Sequence, residues 1–325
     1  MGIYLAEVTK IKNSGGVLAI YKKYGLLIIL IVLVLVMAIV RSNFVSLSNI
    51  RNMLRQLSLN GILALGMAFV ILTGGIDLSV GSIVGLSGIV AALIAQHHDL
   101  PPIVAILGAC LVGIIAGMAN GVITAVLEVP AFITTLGTLS IFKGISFVLT
   151  NARPVSTLSE QFLYIGKGYV AGIPIAVIVL VVVYLMGLFI LHRTKFGRYV
   201  YAIGGNETAA IVSGLKTRTI KAAVFTLSGL ASGIAAVILT SRVSSGLPQA
   251  GEGYELDAIA AVVIGGVSLT GGEGRLWGVF VGVLILGVIN NALDLLTVSA
   301  YYQWIIKGSI IILAVLIDRK TKKEN

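Results

Sequence analysis

The sequence predicts an all-α polytopic membrane protein of about ten transmembrane helices, and three observations predict it. Hydrophobic residues make up 58% of the 325-residue chain and charged residues only 11%, whereas a soluble domain devotes roughly a quarter of its residues to charge. The apolar residues fall in long runs rather than spaced stripes, the pattern of membrane spans. A glycine-rich phrase, LTGGIDLSVGS from Leu72 to Ser82, returns as LTGGEGRLWGV from Leu269 to Val279. That recurrence predicts a parallel internal helix–turn–helix repeat within one transmembrane domain over residues 1–325.

Ten apolar segments run over 25–40, 56–73, 79–95, 103–126, 131–149, 170–191, 221–240, 256–271, 276–296 and 301–317. Several fall short of the ~20 residues that cross a bilayer at about 1.5 Å each. Flanking polar residues extend some of these, and others are partial or broken helices. The first segment has a long basic lead-in, and VMAIVRSNF offers no good small-x-small cleavage site, so it is expected to be retained rather than removed as a signal peptide.

Lysine and arginine set the orientation. Lys10, Lys12, Lys22 and Lys23 precede the first segment, and Arg319, Lys320, Lys322 and Lys323 follow the last. Arg193, Lys195, Arg198, Lys216, Arg218 and Lys221 lie between the sixth and seventh. Ten crossings with both termini cytoplasmic put all three clusters on one side, making 1–24, 193–221 and 318–325 cytoplasmic. The formal charge of +10 therefore belongs to connecting segments, and a nucleic-acid partner is rejected. Arg41, Arg51 and Arg55 fall on the outer side and break the rule. Arg51 and Arg55 are four apart, so on a helix they share a face.

Sliding the chain by 197 residues (269 − 72) gives 11 identities in the 27 columns 59–85 against 256–282. Thr73, Gly74 and Gly75 fall on Thr270, Gly271 and Gly272, so both copies turn on the cytoplasmic side. The glycine pairs supply backbone angles closed to other residues. Asp77 or Ser79 can cap the helix that follows, and Asp77 can alternatively touch a substrate or a gate. In the second copy Glu273 and Arg275 provide charge. The 39 glycines suit closely packed helices, since lipid gives no hydrophobic drive for helix association. Cys110, the single cysteine, permits no intrachain disulfide and reads as a small buried hydrophobe.

The stretch Arg193 to Lys221 is the longest cytoplasmic connection. Gly204 and Gly205 read as a turn, Asn206 as an N-cap, and Glu207 as a first-turn acid suited to the helix dipole. Ala209, Ala210 and Ile211 follow, and Gly214 reads as the C-cap. The result is a short helix, either an amphipathic surface helix or a knob for a cleft on a soluble partner.

This stretch resembles the coupling loop of permease subunits in bacterial ATP-driven importers, in which two alanines stand four residues ahead of a glycine. Ala209, Ala210 and Gly214 keep that spacing, while Thr208 stands where the general motif has Glu. LTGGIDLSVGS, IGGNETAAIVSG, GYELDAIAAVVIGG, SLTGGEGR and YYQWIIKG together resemble the ribose-type monosaccharide permeases that work with a periplasmic binding protein, over about residues 45–320. The resemblance implies a permease dimer in the bacterial inner membrane, by default a homodimer. Two ATPase subunits would bind its loops, with ATP and Mg held on those chains, and a sugar-loaded binding protein would dock outside. Gly205, Asn206, Glu207, Ala209, Ala210 and Gly214 would couple to the ATPase.

Other residues keep two readings. Arg51, Arg55, Arg153 and Arg242 would face acidic groups of a binding protein or else phospholipid headgroups. Asn120, Asn290 and Asn291 could line a sugar path or bond neighbouring helices. Lys143 and Lys307, inside apolar segments, are expected to snorkel outward. His97 and His98 lack the further ligands that a metal site needs. No G-x-x-x-x-G-K-[ST] occurs, Gly166-Lys167-Gly168 being the nearest phrase, so no cofactor is assigned to this chain and it is not expected to be an enzyme itself. The rival function is an ion-driven secondary transporter. It would call for buried midplane carboxylates, and Asp77, Glu128 and Asp294 all fall near span ends.

Overall fold

In a computed structural model, residues 15–323 are described. Their order begins with helix α1 (Gly15–Val40), a 3-10 turn at Ser42–Val45, α2 (Leu47–Leu72), α3 (Val80–Ala95), α4 (Pro102–Ala125) and α5 (Ala131–Thr150). Then follow α6 (Glu160–Lys167), a hairpin of β1 (Tyr169–Val170) and β2 (Ile173–Pro174), and α7 (Ile175–Arg193). The chain closes with α8 (Lys195–Gly205), α9 (Glu207–Val212), α10 (Thr217–Val243), α11 (Tyr254–Ile264), α12 (Leu276–Leu295) and α13 (Ala300–Lys323). The parts of the expected cytoplasmic segments at 1–14 and 324–325 lie outside the described residues.

Each apolar segment contains a helix, and local chemistry fixes many of the ends. The Ser46 side chain caps α2 by accepting from the Asn49 N–H at 3.3 Å. Pro102 opens α4 at a position where the missing N–H costs nothing. Asn151 closes α5 in the left-handed conformation. Among the described residues, α2, α4, α5, α7, α10 and α12 are long and apolar enough to cross a membrane, while α3 and the Tyr24–Val40 part of α1 are shorter apolar helices.

The hub is α2. All of its residues from Leu57 to Leu72 are buried, walled in by α7, α10, α11 and α12. By contrast α4, α5 and α7 turn most of their apolar surface outward, with Leu107, Ile133 and Leu185 among the exposed side chains. Such faces suit hydrocarbon rather than water.

The tightest seam joins α4 to α10. A Cβ on Gly113 would overlap the Gly229 carbonyl, and one on Gly229 would overlap the Gly113 carbonyl. Gly117 lies equally close to the Phe225 carbonyl. With four-residue spacing on each helix, the small residues let the two backbones touch.

Two expectations need correction. The segment expected to span from 170 begins as a helix only at Ile175, because Tyr169–Val170 pairs antiparallel with Ile173–Pro174. The reversal runs through Ala171 (φ 50) and Gly172 (φ 81). Among the described residues the fold is thus all-α apart from this two-residue ladder and an isolated antiparallel bridge between Val155 and Gly246. The second correction concerns α11, which ends at Ile264 instead of running on to 271. Gly265 caps it and Gly266 takes φ 80.

Candidate functional site

The two glycine turns and the long basic loop meet at one end of the bundle. At the end of α2 the Thr73 hydroxyl donates to the Val70 carbonyl (2.8 Å), and the Gly74 N–H donates to the Ile71 carbonyl (2.8 Å). Gly74 takes φ 81, and in the second turn Gly271 and Gly272 take φ 86 and 75. These angles require glycine; Gly75 keeps negative φ. The Gly272 N–H then donates to the Leu72 carbonyl at 3.0 Å, tying the second turn to the first.

Helix α8 enters the same junction. A Cβ on Gly204 would overlap both the Leu72 carbonyl oxygen and the Gly272 nitrogen. Gly204 and Gly205 therefore do not form the expected turn. They are the last two residues of α8, and the glycine at 204 serves close approach instead of chain reversal. The Tyr201 hydroxyl donates to the Gly274 carbonyl at 2.8 Å. Burial pushes the Tyr201 pKa up, with Arg275 opposing, so the phenol stays a neutral donor.

Beyond the junction lies the short helix α9. The Asn206 side chain accepts from the Ala209 N–H at 2.9 Å, as an N-cap should. Gly214 stands past the helix end with φ 83. Glu207 also binds Lys221 of α10 at 3.0 Å, and Arg218 pairs with Glu128 of the α4–α5 connection. Ala210 is buried and Ala209 exposed, while Ile211 and Val212 project outward at 56% and 84% exposure. A cleft of about 580 Å³ lies between α9, the first glycine turn and the α4–α5 connection, with Thr73, Glu128, Asn206 and Arg218 on its walls.

Asp77 is not at the surface. It is fully buried, where Oδ1 accepts from the Ser79 N–H (3.0 Å) and the Ser79 hydroxyl (2.6 Å). Oδ2 accepts from the Ser228 hydroxyl of α10 at 2.9 Å. Asn120 of α4 donates to the Ser79 Oγ at 2.7 Å. Asp77 thus holds the start of α3 and also joins α3, α4 and α10 in one polar knot. Asn120 belongs to this knot and lies apart from the other two asparagines.

Those two sit at the opposite end of the bundle. Asn291 exchanges a pair of hydrogen bonds with Asn49 (2.9 and 2.8 Å), while Asn290 bonds Asp257. Lys307 does not snorkel. It pairs with Asp257 of α11 at 2.9 Å, with the Asp257 side chain 5% exposed. Lys143 likewise has a partner, Glu252 at 3.5 Å. Asp257 escaped sequence reasoning because it sits alone in an apolar run, fifty residues from its partner (307 − 257). Asp77 and Asp257 are both buried carboxylates, so burial alone does not set this chain apart from an ion-driven transporter.

The four arginines are placed unevenly. Arg51 and Arg55 share a face as their spacing predicts, both over the Tyr169 ring (5.0 and 4.8 Å). Arg55 donates to the Lys167 carbonyl at 2.8 Å. Arg242 turns inward to the Gln56 side chain at 2.7 Å, and Arg153 is exposed beyond the end of α5.

Residues 49–315 match the family described as branched-chain amino acid transport system / permease component. Among individual proteins, the chain is 47% identical over 304 residues to the ribose import permease protein RbsC of Bacillus subtilis (strain 168), covering 93% of this chain and 94% of that one. Against the ribose import permease protein RbsC of Haemophilus influenzae the identity is 48% over 295 residues, covering 90% and 91%. The D-allose transport system permease protein AlsC of Escherichia coli (strain K12) is 39% identical over 304 residues, covering 93% of each chain. No solved structure gives a significant match.

Proposed function

Because the chain belongs to the branched-chain amino acid transport system / permease component family, we propose that it is the membrane-spanning subunit of an ATP-driven, binding-protein-dependent monosaccharide importer. The relatives named above are ribose and allose permeases, which supports a monosaccharide as the cargo. In this reading the chain acts as one transmembrane domain with ten spans, both termini in the cytoplasm of a bacterial inner membrane, and a second copy as its partner. The two glycine hairpins are then parallel copies whose turns share the cytoplasmic side, consistent with their direct hydrogen bond.

The observation that carries coupling is the seat of α9. A capped helix with two exposed apolar side chains begins three residues after Gly204 (207 − 204), which touches both turns. A push on Ile211 and Val212 by an ATPase subunit reaches α2 and α12 through backbone contacts, with no flexible side chain between. ATP and Mg reside on that subunit, whose closure supplies the force. At the other end Arg51, Arg55 and Arg153 meet acidic groups on a binding protein, and Arg242 supports that face from within.

The test is ATP hydrolysis in lipid nanodiscs holding this chain, its co-expressed ATPase and its binding protein. Sugar-loaded binding protein is expected to stimulate hydrolysis, and Gly214→Asp to abolish the stimulation by forcing a side chain onto a left-handed residue. Sugar uptake that proceeds without ATP would overturn the importer reading in favour of ion-driven transport.

A further inference from the structure

The end of the bundle opposite the glycine junction contains a polar cavity of about 230 Å³ inside a single chain. Its walls include Gln56 of α2, Arg242 of α10, Asp257 of α11, Asn290 and Asp294 of α12, and Lys307 of α13. Gln56 and Leu72 lie 16 residues apart on α2 (72 − 56), so about 24 Å of helix separates the cavity from the junction at ~1.5 Å per residue. Buried ionisable groups among apolar helices are costly unless they are paired or serve a ligand or a path.

The chemistry of the walls selects a ligand class. Arg242 and Lys307 bring two positive charges, and Asp257 and Asp294 two negative ones, so the cavity is balanced. Lys307 is paired with Asp257 (2.9 Å), Arg242 donates to Gln56 (2.7 Å), and Gln303 donates to Asp294 (3.0 Å). An anion or a cation would upset that balance, whereas hydroxyl groups can both donate to and accept from these walls. Asn290 Oδ1 is buried with no hydrogen-bond partner among the described residues, an acceptor that a hydroxyl donor would satisfy. The space equals about eight water volumes at ~30 Å³ each, the scale of one small polyol.

The geometry points to a binding site for one neutral polyhydroxylated molecule within each protomer, held by the Asp257–Lys307 pair, Gln56 and Asn290. It rests on the importer reading for its role as the first stop after release from the binding protein. The site itself needs neither ATPase nor binding protein.

Thiol protection tests it. In nanodiscs holding the full chain, Cys110→Ala removes the native thiol and Met53→Cys places one in the cavity wall, at a side chain without a hydrogen-bonding role. A membrane-impermeant methanethiosulfonate is expected to label it, and millimolar D-ribose or ribitol to slow labelling by about threefold at twice the dissociation constant. Ribose phosphate and glucosamine are expected to protect far less. Asn52→Cys, on the same wall, repeats the measurement should Met53→Cys misfold. Adding Lys307→Gln should raise the half-protecting concentration about tenfold. Absence of labelling at both positions, or equal protection by the charged sugars, overturns the site. Lost protection alongside intact sugar-stimulated hydrolysis overturns this site alone. Protection without ATP-linked import leaves the site standing and removes the importer reading.

Discussion

The two ends of the helix bundle are held by different materials. At the junction, backbone meets backbone: the Leu72 carbonyl, the Gly272 N–H and the Gly204 Cα leave no room for a side chain. At the far cavity, side chain meets side chain through charge and amide groups. A backbone contact cannot rotate away, so it transmits displacement and tolerates no added atom. A side-chain network yields and re-forms, so it can exchange partners with a visiting solute. The contrast explains how one chain can be stiff where force would enter and adaptable where cargo would pass.

Breaking the far end should have the largest effect on stability. Lys307→Met leaves Asp257 buried and unpaired, and is expected to cost about 3 kcal/mol or more, read as a lower unfolding midpoint in detergent. Adding Asp257→Asn should recover most of that loss. A double variant as unstable as the single one would show that the ion pair is not what the wall depends on.

The junction sharpens the comparison through two adjacent residues. Gly204→Ala is expected to cost about 1–3 kcal/mol, since the new methyl must displace backbone. Transport should fall at least in proportion to the displaced turn. Gly205→Ala, one residue on, meets nothing within 4 Å among the described residues and should leave uptake and stability unchanged. Equal effects at both positions would refute the backbone junction.

The smallest effect belongs to the helix cap. Asn206→Ala removes the acceptor for the Ala209 N–H and is expected to cost about 1 kcal/mol. Asn206→Asp should retain the bond and near-wild-type stability. Protease cleavage near Ile211, timed under native conditions, reads out both.

The sequence was legible wherever the signal was local. Apolar runs located the six helices that are long and apolar enough to cross a membrane among the described residues, the Asn206 and Gly214 pattern located α9, and the Gly74 and Gly271 pairs located two real turns. It was illegible where a partner lay far along the chain. Gly204-Gly205 has the letters of a turn, yet its reason for being glycine is the Leu72 carbonyl, 132 residues away (204 − 72). Asp257 looked like an isolated charge until Lys307 stood beside it. Asp77 read as a helix cap or a contact to a substrate or gate, because nothing nearby announces Ser228 or Asn120. The α6 helix and its hairpin were missed for another reason: Glu160 to Pro174 is too short and mixed to hold a period.

The glycine seam between α4 and α10 carries an evolutionary consequence. Every single-nucleotide missense change in a glycine codon brings in a side chain, so Gly113, Gly117 and Gly229 can be altered in one direction only, toward bulk. Because each faces the other helix's backbone, no trimming of an opposing side chain can make room. Lineages that share this seam can drift freely in the lipid-facing letters around it while these three positions stay locked, and a variant that escapes must move a whole helix to do so.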